Sequence, residues 1–171
     1  GGVVYDVWKT TLTRARRTKD KVQCCLILGL AGGSVAKLVR KLWGEEVEIT
    51  GVDIDPLMVK LRKKYLGLEE YGVKVVINDA YAFLTDHRSP TTKHFDLILI
   101  DLYVGDVFPK KFESENYIQL VRTVLASEGI VVFNRLYYRE KRAQAMKFLK
   151  KLEKNFQKVD IVFPEANVMF I

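Results

Sequence analysis

The sequence predicts an α/β domain, a doubly wound and mainly parallel sheet of seven strands that closes with an antiparallel C-terminal hairpin. Three observations carry this expectation. Short apolar runs alternate with amphipathic segments along most of the chain. Several of those runs end in a lone acidic residue followed by turn or capping residues, as strands do that deliver side chains to one sheet edge. The last two runs, Val159–Phe163 and Val168–Ile171, are joined by only Pro164-Glu165-Ala166-Asn167, too short for a crossover helix, so they must pair antiparallel.

Taken in order, Tyr5–Thr18 places Tyr5, Trp8 and Leu12 at helical spacing, and Lys19-Asp20-Lys21 is a solvated turn. Residues 1–20 thus read as a helical lead-in and 21–171 as the domain proper. Val22–Leu30 is a continuous apolar run, the pattern of a strand covered on both faces. Val35, Ala36, Leu38, Val39 and Leu42 mark the next helix, which Gly44 closes. Val47–Val52 is the second strand, ending at Asp53, and Pro56 opens a helix through Tyr65. Val73–Ile77 is a third strand followed by Asn78-Asp79, then Ala80–Thr85 is helical and His87–Lys93 a polar loop. Phe95–Ile100 is a fourth strand ending at Asp101. Tyr117–Leu125 reads as a helix, Gly129–Phe133 as a fifth strand and Arg139–Phe156 as a long basic helix.

With 171 residues, 49% of them hydrophobic, the chain buries enough surface for one domain without disulfide or metal staples. A charged fraction of 29% is that of a globular domain rather than a disordered tail. Cys24-Cys25 is an adjacent pair in a strand, with side chains on opposite faces, and the remaining ligand candidates are His87 and His94. Two buried, reduced thiols are expected, no metal site, and a cytoplasmic setting. The apolar runs fall far short of the roughly 20 residues of a membrane span, and Gly1-Gly2-Val3-Val4-Tyr5 has no signal-peptide pattern. The Lys and Arg behind the net charge of +7 are spread over several segments with acids among them; Arg14–Lys21 is one basic stretch and Arg139–Lys154 another, the latter with Met146, Phe148 and Leu149 packing inward between its charges. That is the look of a solvated helix surface, with RNA as the rival partner.

The candidate site follows from the strand ends. Gly29-Leu30-Ala31-Gly32-Gly33-Ser34 lets backbone approach a ligand while the following helix presents its amino terminus. It is not a dinucleotide fingerprint, whose glycine positions would hold Gly29, Ala31 and Ser34. Asp53 is placed to accept from both hydroxyls of a ribose, with Asp55, just before Pro56, as helix cap. Asp79 either accepts from a purine amine or caps the next helix. Asp101, flanked by Ile100 and Leu102, needs a partner: a ligand group, or backbone N–H groups between Tyr103 and Asp106.

These segments resemble a known superfamily. Cys25–Ser34, Gly51-Val52-Asp53-Ile54-Asp55-Pro56, Asn78-Asp79-Ala80 and Phe95–Asp101 are similar to the successive motifs of class I S-adenosylmethionine-dependent methyltransferases. Asp101-Leu102-Tyr103 through Phe108-Pro109 to Phe112, and then Glu128–Asn134, resemble the spermidine synthase-like branch. The likeness covers about residues 20–171 and implies a Rossmann-like fold with S-adenosylmethionine as cofactor. By this resemblance Gly29, Leu30, Ala31, Gly32 and Gly33 lie against the donor's amino-acid part and ribose, Asp53 with Ile54 holds the ribose, and Asp79 takes the adenine amine. Ala80 would donate its backbone N–H to the ring, and Asp101 would orient the donor's amino group or the acceptor, with Tyr103 and Asp106 in the same loop. Aminopropyltransferases of this branch carry acids where this chain has Gly32 and Val104, which favours methyl transfer over polyamine synthesis. The acceptor is a small amine, a protein or RNA, a homodimer is one expected assembly, and a non-catalytic cofactor- or RNA-binding module is the rival function.

Overall fold

The computed structural model describes residues 2–30, 33–65, 68–89 and 94–171. Six helices and seven strands alternate among the described residues: α1 (Gly2–Thr18), β1 (Cys24–Leu28), α2 (Ser34–Trp43), β2 (Glu48–Asp53), α3 (Pro56–Tyr65), β3 (Val73–Ile77) and α4 (Ala80–Asp86) form the first half. β4 (Phe95–Ile100), α5 (Glu115–Val124), β5 (Leu125–Leu136), α6 (Lys141–Asn155), β6 (Ile161–Val162) and β7 (Asn167–Phe170) form the second. The strands make one sheet in the order β3-β2-β1-β4-β5-β7-β6. β1 to β5 are parallel, and β7 runs antiparallel to both β5 and β6. This is the predicted doubly wound sheet with its closing hairpin. The chain turns from β6 to β7 through Glu165, in the left-handed region at φ 53, with the Asn167 N–H bonded to Pro164 O at 3.0 Å.

Strand alternation divides the core into two layers. Cys24, Leu26 and Leu28 face α4, α5 and α6, while Cys25 and Ile27 face α1 and α2. Both thiols are buried and unpaired. Helix α1 belongs to the core, because Trp8, Leu12 and Ala15 are fully buried; each large apolar side chain so placed contributes about 1.5–3 kcal/mol.

Several boundaries differ from the sequence expectation, the first strand being Cys24–Leu28 and the sixth only Ile161–Val162, and two of the differences have a clear local reason. The fifth strand begins at Leu125, with no loop after α5, and a bulge opposite Phe95–Leu97 takes up the extra residues before Ile130. At Gly129 a Cβ would lie 2.7 Å from Leu125 Cδ1, so a side chain there would have to displace Leu125 within the doubled-back bulge. The long basic helix starts at Lys141 because Arg139 sits at φ 45, which a right-handed helix cannot contain.

The topology creates the site. The sheet reverses its winding between β1 and β4, and the crevice beyond their carboxyl ends is where such sheets take ligands. The two ends are held together there by Asp101 N–H donating to Leu28 O at 2.8 Å, while Gly29 N–H ties β1 to β2 by donating to Val52 O at 2.9 Å.

Candidate functional site

A cleft of about 490 Å³ opens at this switch point, within the usual size of small-molecule sites. Its walls include Gly29 from the end of β1, Asp53, Ile54 and Met58 from β2 and α3, Asp79 and Ala80 at the start of α4, and Asp101 to Val104 after β4. Gly29 has φ +85, and a Cβ there would stand 2.9 Å from the Asp101 carbonyl carbon and nearer still to its oxygen. Only glycine lets the first and fourth strands end this close together.

Asp53 is held from three directions. Its Oδ1 accepts from Asp55 N–H at 3.0 Å; its Oδ2 accepts from Leu30 N–H at 3.2 Å and from the guanidinium of Arg62. Asp55 caps α3, its Oδ1 accepting from Leu57 N–H at 2.9 Å and Met58 N–H at 3.1 Å. Of the glycine loop, the Leu30 side chain is buried against Gly51, Gly33 turns the chain into α2 at φ +79, and Ala31 and Gly32 lie outside the described residues.

Asp79 caps α4 and closes a bridge across the cleft. Its Oδ1 accepts from Tyr81 N–H at 2.9 Å and Ala82 N–H at 3.2 Å, and its Oδ2 from Lys111 Nζ at 2.5 Å. Burial pushes this carboxyl upward, but the lysine and the two amides outweigh it and hold Asp79 below the usual carboxylate range. Cap and cleft wall are therefore both roles of one side chain.

Asp101 is held by side chains from two other elements. Trp8 Nε1 of α1 donates to Oδ2 at 3.2 Å and Asn134 Nδ2 of β5 to Oδ1 at 2.8 Å. Asn167 Nδ2 in turn donates to Asn134 Oδ1 at 2.7 Å. Burial raises the Asp101 carboxyl above its ordinary value despite these donors. Tyr103 is tied down as well, its hydroxyl accepting from Leu136 N–H at 2.8 Å and donating to Asn134 O at 3.3 Å. Burial pushes that phenol up to about 12, so it stays protonated at neutral pH. Asp101 and Tyr103 line the cleft and also a second pocket of about 200 Å³, whose other walls are Val7, Trp8, Gly105, Leu136 and the two asparagines.

Asp106 does not line the cleft among the described residues. A tight turn closed by mutual bonds between Val104 and Val107 turns it outward, where its exposed carboxylate lies 3.4 Å from Lys141 Nζ. The loop is clamped from below by Arg135, whose guanidinium bonds Glu113 at 2.5 Å and lies 4.2 Å from the Phe108 ring centre.

The structure thus adds Trp8, Arg62, Lys111, Asn134 and Asn167 to the residues read from the sequence. Asn134 carries the same signal as the strand-end acids, a polar residue directly after the apolar run Ile130–Phe133, although β5 itself continues to Leu136. Trp8 and Lys111 act from distant segments, and no local pattern marks them.

The family model described as the spermine/spermidine synthase domain matches residues 13–167. A polyamine aminopropyltransferase from Vibrio vulnificus is 27% identical over 115 residues, covering 67% of this chain and 38% of that protein. The eEF1A lysine and N-terminal methyltransferase of Mus musculus is 27% identical over 116 residues, covering 64% of this chain and 16% of that protein. This chain therefore spans less than two thirds of the length of these relatives. Among solved structures, human methyltransferase-like protein 13 in complex with SAH superposes with a TM-score of 0.79 at 21% identity, covering 96% of this chain and 78% of that one. A probable spermidine synthase from Corynebacterium glutamicum does so with a TM-score of 0.80 at 21% identity, covering 97% and 62%. With residues 13–167 inside the matched model, the chain belongs to the spermine/spermidine synthase domain family.

Proposed function

We propose that this chain is an S-adenosylmethionine-dependent methyltransferase of the spermidine synthase-like type, acting on an amine nitrogen of a protein. The observation that carries the reading is the convergence of Asp53, Asp79 and Asp101 on one cleft at the switch point, where Gly29 keeps the floor free of side chains. The residues fit an adenosyl donor: strand-end carboxylates accept from hydroxyl and amine groups, and Ile54 and Met58 offer apolar surface to a flat base. In this reading Asp53 and Ile54 hold the ribose and Asp79 and Ala80 the adenine. Gly29 lies under the amino-acid end and Asp101 stands at the junction with the acceptor. The amine acceptor is supported by the relatives' names, which include eEF1A lysine and N-terminal methyltransferase and N-terminal histidine N-methyltransferase.

The bound cofactor supplies a methyl group on a cationic sulfur, an electrophile that needs no activation by the protein. The chain's own task is alignment, which can contribute about 7–11 kcal/mol. Trp8 and Asn134 fix the Asp101 carboxylate by one bond on each oxygen, leaving each oxygen a further acceptor direction toward an incoming N–H. Tyr103, protonated and bonded to β5, serves as wall rather than base. Methyl rather than aminopropyl transfer is supported by exposed Val104 and by Asp106 facing Lys141, which leaves the loop without a second acid in the cleft.

The unpaired thiols of Cys24 and Cys25 support a cytoplasmic setting, and no helix among the described residues is long and apolar enough to cross a membrane. The exposed apolar residues Leu57, Leu61 and Tyr65 along α3 support a homodimer, which light scattering would test. The deciding assay is transfer of labelled methyl from S-adenosylmethionine to peptides with a free α-amine or lysine. We expect label on free amines, none on acetylated peptides, and at least about 10-fold loss in Asp101→Asn with affinity for S-adenosylhomocysteine retained. Spermidine formed from putrescine and the decarboxylated donor would overturn the reading.

A further inference from the structure

We propose that Arg62 is a second reader of the donor's ribose, so that a carboxylate and a guanidinium together recognise the vicinal diol. The inference rests on the donor reading above and assigns a role to a residue outside the motifs of the resemblance. Arg62 lies on α3, is 8% exposed, and lines the cleft beside Asp53. A guanidinium carries five N–H donors and no acceptor. One is committed to Asp53 Oδ2, and the buried Nε has no partner among the described residues. A buried arginine paired through one nitrogen alone is under-used, since such pairs commonly engage two.

The carboxylate has the complementary shortage. Asp53 Oδ2 already accepts from Leu30 N–H and Arg62, and Oδ1 from Asp55 N–H. With about two acceptor directions per oxygen, one remains, on Oδ1. Asp53 alone therefore cannot take both hydroxyls of a ribose while Arg62 stays in place. A hydroxyl, however, both donates and accepts. One hydroxyl donates to the open direction of Oδ1, and the other accepts from a free N–H of Arg62. The pair reads the diol by opposite polarities, and the guanidinium keeps its hold on Asp53 throughout.

The test uses the whole chain with adenosine, 2′-deoxyadenosine and 3′-deoxyadenosine as probes, titrated calorimetrically. In the wild type each missing hydroxyl should weaken binding on the order of 10-fold, as expected when a hydrogen bond to a charged group is lost. Arg62→Lys and Arg62→Gln can each keep a donor on Asp53 Oδ2, so that this oxygen does not open to the second hydroxyl. Each should bind adenosine about 10-fold more weakly and become indifferent to one hydroxyl while remaining sensitive to the other. Asp53→Asn should show the reverse choice. Either Arg62 variant carries the comparison if the other melts far below the wild type. Unchanged or tighter adenosine binding in the Arg62 variants, or undiminished sensitivity to both hydroxyls, would overturn the role of Arg62 and leave the donor reading intact. A wild-type chain that binds neither adenosine nor S-adenosylhomocysteine would overturn the donor reading itself.

Discussion

Replacing Gly29 by alanine tests how the cleft floor is built. The residue sits at φ +85, outside the ordinary range of an L side chain, and adopting it costs on the order of 1–2 kcal/mol. The new Cβ would also stand 2.9 Å from the Asp101 carbonyl carbon, against backbone that the Leu28–Asp101 hydrogen bond holds in place. Relief requires moving a strand end, an overpacking cost of about 1–3 kcal/mol. The two add to roughly 2–5 kcal/mol, and at about 2–4 °C per kcal/mol for a chain of this size the melting temperature should fall by at least about 4 °C. Gly105→Ala separates the two effects, because Gly105 has φ +62 with nothing within 4 Å of an added Cβ, so it carries the conformational cost alone. Urea unfolding of both variants gives the comparison. A Gly29→Ala change within about 0.5 kcal/mol of wild type, or no larger than that of Gly105→Ala, would refute the close-approach argument.

Asp101→Asn should alter the pH dependence of stability. The folded carboxyl lies above its ordinary value of 3.8, so ionising it costs the native state more than the unfolded one, and wild-type stability falls as pH rises from there through the raised value. The stability difference between wild type and this variant should narrow over that rise in urea melts, and a constant or widening difference would count against burial as the cause. Asp79 predicts the opposite limb: its lowered carboxyl contributes stability above 3.8 that is lost as pH falls through the folded value, so Asp79→Asn and wild type should converge in acid. Arg135→Met should cost about 2–3 kcal/mol, less than the roughly 3–5 of a fully buried broken pair because Glu113 is partly exposed. Thermal melts check this, and adding Glu113→Gln should recover part of the loss.

The parts of this fold that were readable are those decided locally. A strand covered on both faces is a continuous apolar run, and a lone acid at its end stands out whatever surrounds it, which is why Asp53, Asp79 and Asp101 could be named. What those acids touch was not readable. Trp8 and Asn134 reach Asp101 from 93 and 33 residues away, and only the sheet order brings α1 and β5 to that point. Arg62 is one of three consecutive basic residues, and its inward phase depends on how α3 rolls against β2. Asp106 is near Asp101 in sequence, yet a four-residue turn between Val104 and Val107 reverses it toward Lys141. Ser127-Glu128-Gly129 has turn composition, but pairing with β4 draws it into a bulged strand, an instance of tertiary context overriding local preference.

The measurement that bears most directly on the donor cleft is calorimetric titration of the wild-type chain and Asp53→Ala with S-adenosylmethionine, its decarboxylated form and NAD. One site is expected, which prefers S-adenosylmethionine, binds the decarboxylated form more weakly for want of a second acid near Asp101, and does not take NAD. Asp53→Ala should lower the affinity on the order of 10-fold or more. Tighter binding of NAD than of S-adenosylmethionine, or equal affinity in wild type and Asp53→Ala, would contradict the donor reading.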